Sequence, residues 1–413
     1  MNSVLTKSRR LFAGIFLTLL LGGGAVNIYF QGPAILGGLR NETADRSDIR
    51  GLSRGLKNAA TWNFIGRQSA WSAQAALQAA LGKSEMNDFS VIKAADGRLY
   101  RGGWYPINID NARALAEEVA VLAEKAEESG IKFIYLNTPD TVFKDIQDLP
   151  AGLLRDYNAA QDAFLFTLRE KGVEYLYARY SLKAKGLTPA QLMPKTGFLL
   201  SGPGGLAVFA DLVDGLERRF AAGLDPDGFY RDPANYQYLT FKNFFIGELG
   251  KETGPAFSGL DDFIAVLPAF ETRLSYEALD KFGNFTKTEG QAAETILNEE
   301  ALVYFNGYYD LYPQSYYRHT NTAWSRIKNE LKPDGPKVLM IHDFYSSQII
   351  SHLAPLCGEL HTLAYQENLP MNAEEYIQGN NFDYVIVSFF SQNLLRPEMS
   401  SLLLSEESRN DIK

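Results

Sequence analysis

The chain has 413 residues, 46% hydrophobic and 22% charged, with 40 Lys and Arg against 49 Asp and Glu for a net charge of −9. That much apolar material supports a real core, and 13% aromatics with 35 glycines suit neither a disordered chain nor a coiled coil. The acidic balance argues against nucleic acid as a partner, because phosphate binding needs a concentrated basic surface. One cysteine, Cys357, excludes a disulfide framework, and with four histidines no metal site and no cofactor is expected.

Lys7, Arg9 and Arg10 precede Leu11–Phe30, a stretch with no charge and a single Asn. Roughly 20 apolar residues span a bilayer as a helix, and a basic flank keeps its own end in the cytoplasm. Residues 1–34 therefore read as a signal anchor, with a signal peptide cleaved near Gly22–Val26 as the alternative. Either way residues 35–413 lie outside the cytoplasm, anchored at an inner membrane or free in a periplasm. Ile28–Gly32 (IYFQG) resembles the tail of a common protease tag and carries no structural weight.

Trp71–Leu81 has strong helix formers and no breaker. Phe89–Tyr105 holds two short apolar runs around Asp96-Gly97, the signal for a hairpin. Asn111–Ser129 reads as a helix closed by Gly130, followed by the buried strand Lys132–Asn137; Leu153–Lys171 reads as a second helix, closed by Gly172 and followed by a strand over Val173–Tyr180. Helix, glycine, apolar strand, twice over, is the pattern of a parallel α/β sheet. The pattern returns as strand Lys337–Ile341, helix Ser346–Leu356, strand Leu360–Tyr365 and strand Asp383–Phe390. Between them, residues 225–320 form an aromatic-rich insertion in the α/β domain.

Ligands of open α/β sheets bind at the carboxyl ends of the strands, which directs attention to four features. Pro139-Asp140-Thr141 is a carboxylate beside a site or a turn. Gly197–Ala207 leads into a helix over Leu206–Phe220, with Ser201 as its cap; its spacing is not that of a P-loop. In Met340–Gln348, Asp343, Ser346 and Ser347 fall at a strand end, where a nucleophile or a helix cap belongs. A hydrolytic triad needs a His oriented by a carboxylate, and His319, His342, His352 and His361 offer no Asp-x-His pair. The fourth feature is Tyr304, Tyr308, Tyr309, Tyr312, Tyr316, Tyr317 and Trp324. Exposed, these rings would stack on sugars; otherwise they are a packed core under a long loop.

The order of these features resembles the SGNH-hydrolase-like proteins of bacterial polysaccharide O-acetylation, of the alginate O-acetylation (AlgJ/AlgX-like) type. It rests on the N-terminal segment, the Asp-Gly hairpin, the loop after KFIYLN, REKGVEYLYARYSL, and the late strand–Asp–helix element with its closing FDYVIVSFF, over about 90–400. The resemblance implies an SGNH-like parallel sheet flanked by helices. That family carries its nucleophile in a strand-end G-[DT]-S-[FYN] motif; the matching residues here are His342-Asp343-Phe344-Tyr345, with Phe344 in the serine's place. Its D-x-H-W motif matches either Phe198–Ala207, with Ser201 but no Asp, His or Trp, or Thr320–Trp324, with Asn321 for the Asp and Ala323 for the His. Thr141 stands for a lysine, and Ser388–Ser391 lacks a carboxylate.

Losing one member of such a unit forfeits most of the rate. The resemblance thus implies a non-catalytic relative in exopolysaccharide O-acetylation, a polysaccharide-binding or scaffold component whose partners are the polymer and an inner-membrane acyltransferase or other export components. One alternative is an active O-acetyltransferase or acetylesterase on a displaced serine, with Asp343, Ser346, Ser347 and His361 as its candidates. A second is an envelope structural protein without a sugar ligand.

Overall fold

The computed structural model describes residues 14, 18, 22, 25–26, 29–33, 67–102, 108–142, 158–280, 282–303, 308–309, 311–365 and 371–412. The chain divides into two compact units, residues 1–77 and 78–413. In the first, the described positions between 14 and 33 are helical. Most of Leu11–Phe30 lies outside the described residues, and among those described no helix is long and apolar enough to cross a membrane.

In chain order the elements are α1 (Arg67–Ala80), β1 (Glu85–Met86), β2 (Val91–Lys93), β3 (Leu99–Arg101), α2 (Asp110–Glu128), β4 (Lys132–Asn137), α3 (Ala159–Glu170), β5 (Tyr175–Tyr177), α4 (Ala178–Ala184) and α5 (Gly202–Phe220). There follow β6 (Tyr236–Phe245), β7 (Asp261–Pro268), β8 (Leu274–Asp280), β9 (Phe285–Gly290), β10 (Thr322–Asn329), β11 (Lys337–His342), α6 (Ser347–Leu353), β12 (Glu359–Ala364), α7 (Ala373–Gln378) and β13 (Tyr384–Ser388).

An eight-stranded sheet, ordered β5-β4-β13-β11-β12-β10-β8-β9, organises the second unit. From β5 to β12 neighbours are parallel, and β13 (YVIVS) is buried along its whole length, as a strand covered on both faces must be. From β12 to β9 the pairs are antiparallel. The expected parallel sheet is therefore mixed. The supposed insertion supplies part of it: β8 and β9 join the main sheet as a hairpin, while β6 and β7 form a separate two-stranded sheet, with β7 packed on α5. Hairpin connections need few residues, so antiparallel strands can be added without the helical crossovers that betray parallel ones in a sequence.

Two cores cover the two faces. One gathers α5, α6 and the β6–β7 hairpin; the other gathers α2, α3 and α7. On α2 the buried stripe Ala112, Leu115, Ala116, Val119, Leu122, Ala123 and Ala126 recurs at three- and four-residue steps. Gly130 and Gly172 close α2 and α3 at φ +77, a left-handed conformation that glycine adopts without a Cβ penalty. The Asp96-Gly97 hairpin forms as expected, pairing Val91 with Arg101 and Lys93 with Leu99.

Val173–Tyr180 is strand only over Tyr175–Tyr177 and then becomes α4. Among the described residues β5 is an edge strand paired only with β4, and the ladder ends at Tyr177 opposite Asn137. Helix α5 starts at Gly202 rather than Leu206, capped by Ser201 Oγ, which accepts from Gly204 N at 3.1 Å. The glycines there serve close packing: a Cβ on Gly205 would stand 2.5 Å from Gln348 Cβ of α6.

Candidate functional site

The carboxyl ends of β4, β11 and β13 converge, and the loops beyond them meet through buried carboxylates. Asp343, directly after β11, accepts from Tyr345 N at 3.0 Å through Oδ1, and from Phe390 N at 2.6 Å and Asn393 Nδ2 at 2.7 Å through Oδ2. It caps the 3-10 turn Phe344–Ser346 and ties it to the loop after β13. Burial pushes its carboxyl above the usual range, opposed by those three donors. Asp140, after β4, accepts from Thr141 N at 2.6 Å and from Ser391 Oγ. Burial raises its pKa too, opposed by Ser391, Thr141 and the charge of Arg179. Arg179 is itself buried on α4, bonded to Tyr177 Oη and 3.6 Å from Asp162. Both carboxylates spend their lone pairs on loop geometry.

Between these loops the space is filled by rings. Phe390 stacks on Phe198 at 5.1 Å and 11°, and on Tyr345 at 4.6 Å and 14°. Tyr345 Oη donates to Pro139 O at 2.8 Å, so the sandwich joins all three strand ends and the approach to α5. Phe344, which the family resemblance would put in the nucleophile's place, is 40% exposed, and Leu199 and Leu200, within Phe198–Ala207, are core residues. Within Thr320–Trp324, Ala323 is buried on β10; the side chain of Asn321 lies outside the described residues.

Among the described residues, Ser346 and Ser347 are not hydrogen-bonded to any histidine. Ser346 Oγ donates to Ser388 Oγ at 3.0 Å, and Ser347 Oγ to Phe344 O at 2.9 Å. His342 bonds through Nδ1 to Asp343 O at 2.6 Å, and burial lowers its pKa to about 4. His352 is buried against Phe209 and Tyr236 with neither ring nitrogen bonded, its pKa pushed down to about 3 by desolvation. His361 pairs with Leu339 in the β11–β12 register, three residues before the strand end, or about 10 Å along the strand. Its Nδ1 meets Tyr376 Oη at 2.5 Å and its Nε2 meets Glu359 at 2.6 Å. Burial lowers its pKa to about 4 even against that carboxylate. The side chain of His319 lies outside the described residues.

The aromatic stretch divides as well. Tyr316 and Tyr317 are core residues, not an exposed face. Tyr308 and Tyr309 are half-buried, Tyr312 is 56% exposed with Lys251 Nζ over its ring, and Tyr304 lies outside the described residues. Trp324 is held on β10, donating from Nε1 to Tyr376 Oη at 2.7 Å. The Trp324–Tyr376–His361–Glu359 chain was not legible in the sequence, because α7, which carries Tyr376, left no periodic signal in six residues. Among the described residues no cluster of His, Cys, Asp or Glu is placed to hold a metal ion.

A cavity of about 440 Å³ opens beside these loops, between the N-terminus of α5, the first turn of α6 and β7. Ser201, Gly202, Phe263, Ile264, Tyr317 and Gln348 are among its walls.

No protein-family model and no curated protein matches the chain. Among solved structures, the O-acetyltransferase domain of Pseudomonas putida AlgJ superposes with 10% identity over 78% of this chain and 98% of that one, at a TM-score of 0.46. PatB1 of Bacillus cereus matches with 16% identity over 74% of this chain and 96% of that one, at 0.56. A DHHW family protein from Eubacterium siraeum matches with 15% identity over 76% and 96%, at 0.55. The chain is thus similar in fold to PatB1 and to the DHHW family protein, across nearly the whole of each.

Proposed function

We propose that the chain is a non-catalytic component of extracytoplasmic polysaccharide O-acetylation, tethered through Leu11–Phe30, which holds the polymer or positions a membrane-bound acyltransferase. The observation that carries this reading is the filled strand end. Phe344 stands where the family resemblance expects a serine, and the Phe198–Phe390–Tyr345 stack occupies the ground between the loops that would carry a base and its carboxylate. A serine without a histidine in hydrogen-bond reach is a weak nucleophile, and Ser346 and Ser347 bond to Ser388 and to a backbone carbonyl instead.

Ester turnover by the full chain tests this, with a chromogenic acetyl ester and acetylated oligosaccharides as substrates. The reading predicts no turnover above that of the Ser346→Ala/Ser347→Ala double variant. It also predicts none in Phe344→Ser, since adding the hydroxyl alone supplies no base. Turnover that is lost in the double variant would instead establish an active enzyme on a displaced serine.

A further inference from the structure

Strand β9 ends the eight-stranded sheet, and among the described residues no strand pairs with its outer side. The turn before it fixes which backbone groups are left there. Asp280 N donates to Asn284 O at 3.0 Å, and along an antiparallel ladder hydrogen-bonded and non-bonded pairs alternate. Thr286, Thr288 and Gly290 therefore turn their backbone groups to β8, whereas Phe285, Lys287 and Glu289 turn theirs outward. The far side of β8 has the matching parity: Glu330 N, just past β10, donates to Arg273 O at 2.9 Å, so the odd-numbered residues of β8 face β10 and the even-numbered ones face β9. The side chains of the outward-turned residues are exposed as well, Lys287 by 50%, Glu289 by 59% and Phe285 by 61%.

An open edge is a template for another strand, and the charges on this one match a second copy of itself. Two β9 strands pair antiparallel only in registers that set outward-turned residues opposite one another. With Lys287 on the dyad, two lysines would stand in direct opposition, which is unfavourable. With Thr286 on the dyad, Lys287 faces Phe285 and gains no charge partner. With Thr288 on the dyad, Lys287 of each copy faces Glu289 of the other, and the two Thr288 meet as a non-hydrogen-bonded pair. Opposite-charge and Thr–Thr pairs are both favourable across strands. An edge lysine alone repels a second strand; here Glu289 supplies its complement.

That register also extends a row of charges already present in the sheet. Arg326 lies opposite Glu277, and Glu277 opposite Lys287. Across the dyad the row runs on through Glu289, Ser275, Lys328 and Glu359 of the second copy. From Arg326 to Glu359 the charges alternate in sign, with only Ser275 between two of them. The pairing spans Thr286–Gly290, because Gln291 N is already bonded to Glu294 Oε2 at 3.0 Å.

We propose that two copies of this chain associate through β9, antiparallel about a dyad at Thr288, with Lys287 of each copy paired to Glu289 of the other. Each of these hydrogen-bonded pairs exchanges both of its backbone bonds, and the two main sheets become one. The association stands apart from the function proposed above.

Sedimentation velocity of the full chain in detergent tests it, over a concentration series at low ionic strength, where exposed charge pairs are least screened. The native chain should dimerise. Lys287→Glu and Glu289→Lys, each alone, turn both charge pairs of the dyad into like charges and should raise the dimer dissociation constant about ten- to hundredfold. The two single variants mixed in equal amounts should recover the dimer, because every contact between them is again Glu against Lys. Thr288→Cys should form an intermolecular disulfide on oxidation, since Cα atoms of a non-hydrogen-bonded pair stand about 4.5 Å apart. A native chain that stays monomeric overturns the proposal. So does a dimer that both single variants retain, which would place association elsewhere, the Leu11–Phe30 segment included. Single variants that stay monomeric when mixed, or a dimer in which Thr288→Cys does not cross-link, overturn it too.

Discussion

Phe198 and Phe390 lie nearly parallel, their rings 5.1 Å apart, although 192 residues separate them in the chain. One precedes α5 and the other follows β13, so the contact closes the carboxyl end of the sheet where an open α/β protein would leave a crevice. Tyr345 completes the sandwich on the far side of Phe390.

Truncating the outer ring should loosen this closure. Phe198→Ala removes a half-buried ring and its stacking, a loss of about 2 kcal/mol, readable as a lower urea midpoint with an unchanged m-value. Hydrogen exchange should quicken in the loop after β13. An unchanged midpoint would mean that the stack contributes nothing to holding the loops.

Asp343 should behave as a structural clamp. In Asp343→Ala three buried donors, Tyr345 N, Phe390 N and Asn393 Nδ2, lose their acceptor together. The expected destabilisation is about 3 kcal/mol, measured by equilibrium unfolding. A loss below about 0.5 kcal/mol would refute the clamp.

His352 should make the fold acid-sensitive. Its folded pKa, about 3, lies below the ordinary value of about 6.5, so between those values the unfolded chain binds a proton that the folded chain does not. Stability is then complete above about pH 6.5 and falls as the pH drops toward 3. His352→Leu removes this contribution and leaves those of His342 and His361 in place. Relative to the native protein, the variant should gain about 2 kcal/mol at pH 5 compared with pH 8. Parallel stability curves for the two proteins from pH 8 to pH 5 would show that His352 is not held neutral by burial.

The amino-acid sequence by itself determined the alternation of helix, glycine and buried strand, because those signals are local: the stripe on α2, the left-handed Gly130 and Gly172, and the continuous apolar run of β13. It also determined Ser201 as a cap and Phe344 at a strand end, each a matter of one residue and its immediate neighbours. The tertiary structure alone decided the rest. Whether Tyr317 faced solvent or core, which acceptor Ser346 would find, and that Phe198 would meet Phe390 all depend on packing between residues far apart in the chain. The antiparallel half of the sheet was hidden for the same reason. A strand's periodicity records which of its faces is buried, whereas its partner and direction are set by hydrogen bonds to a segment elsewhere in the chain.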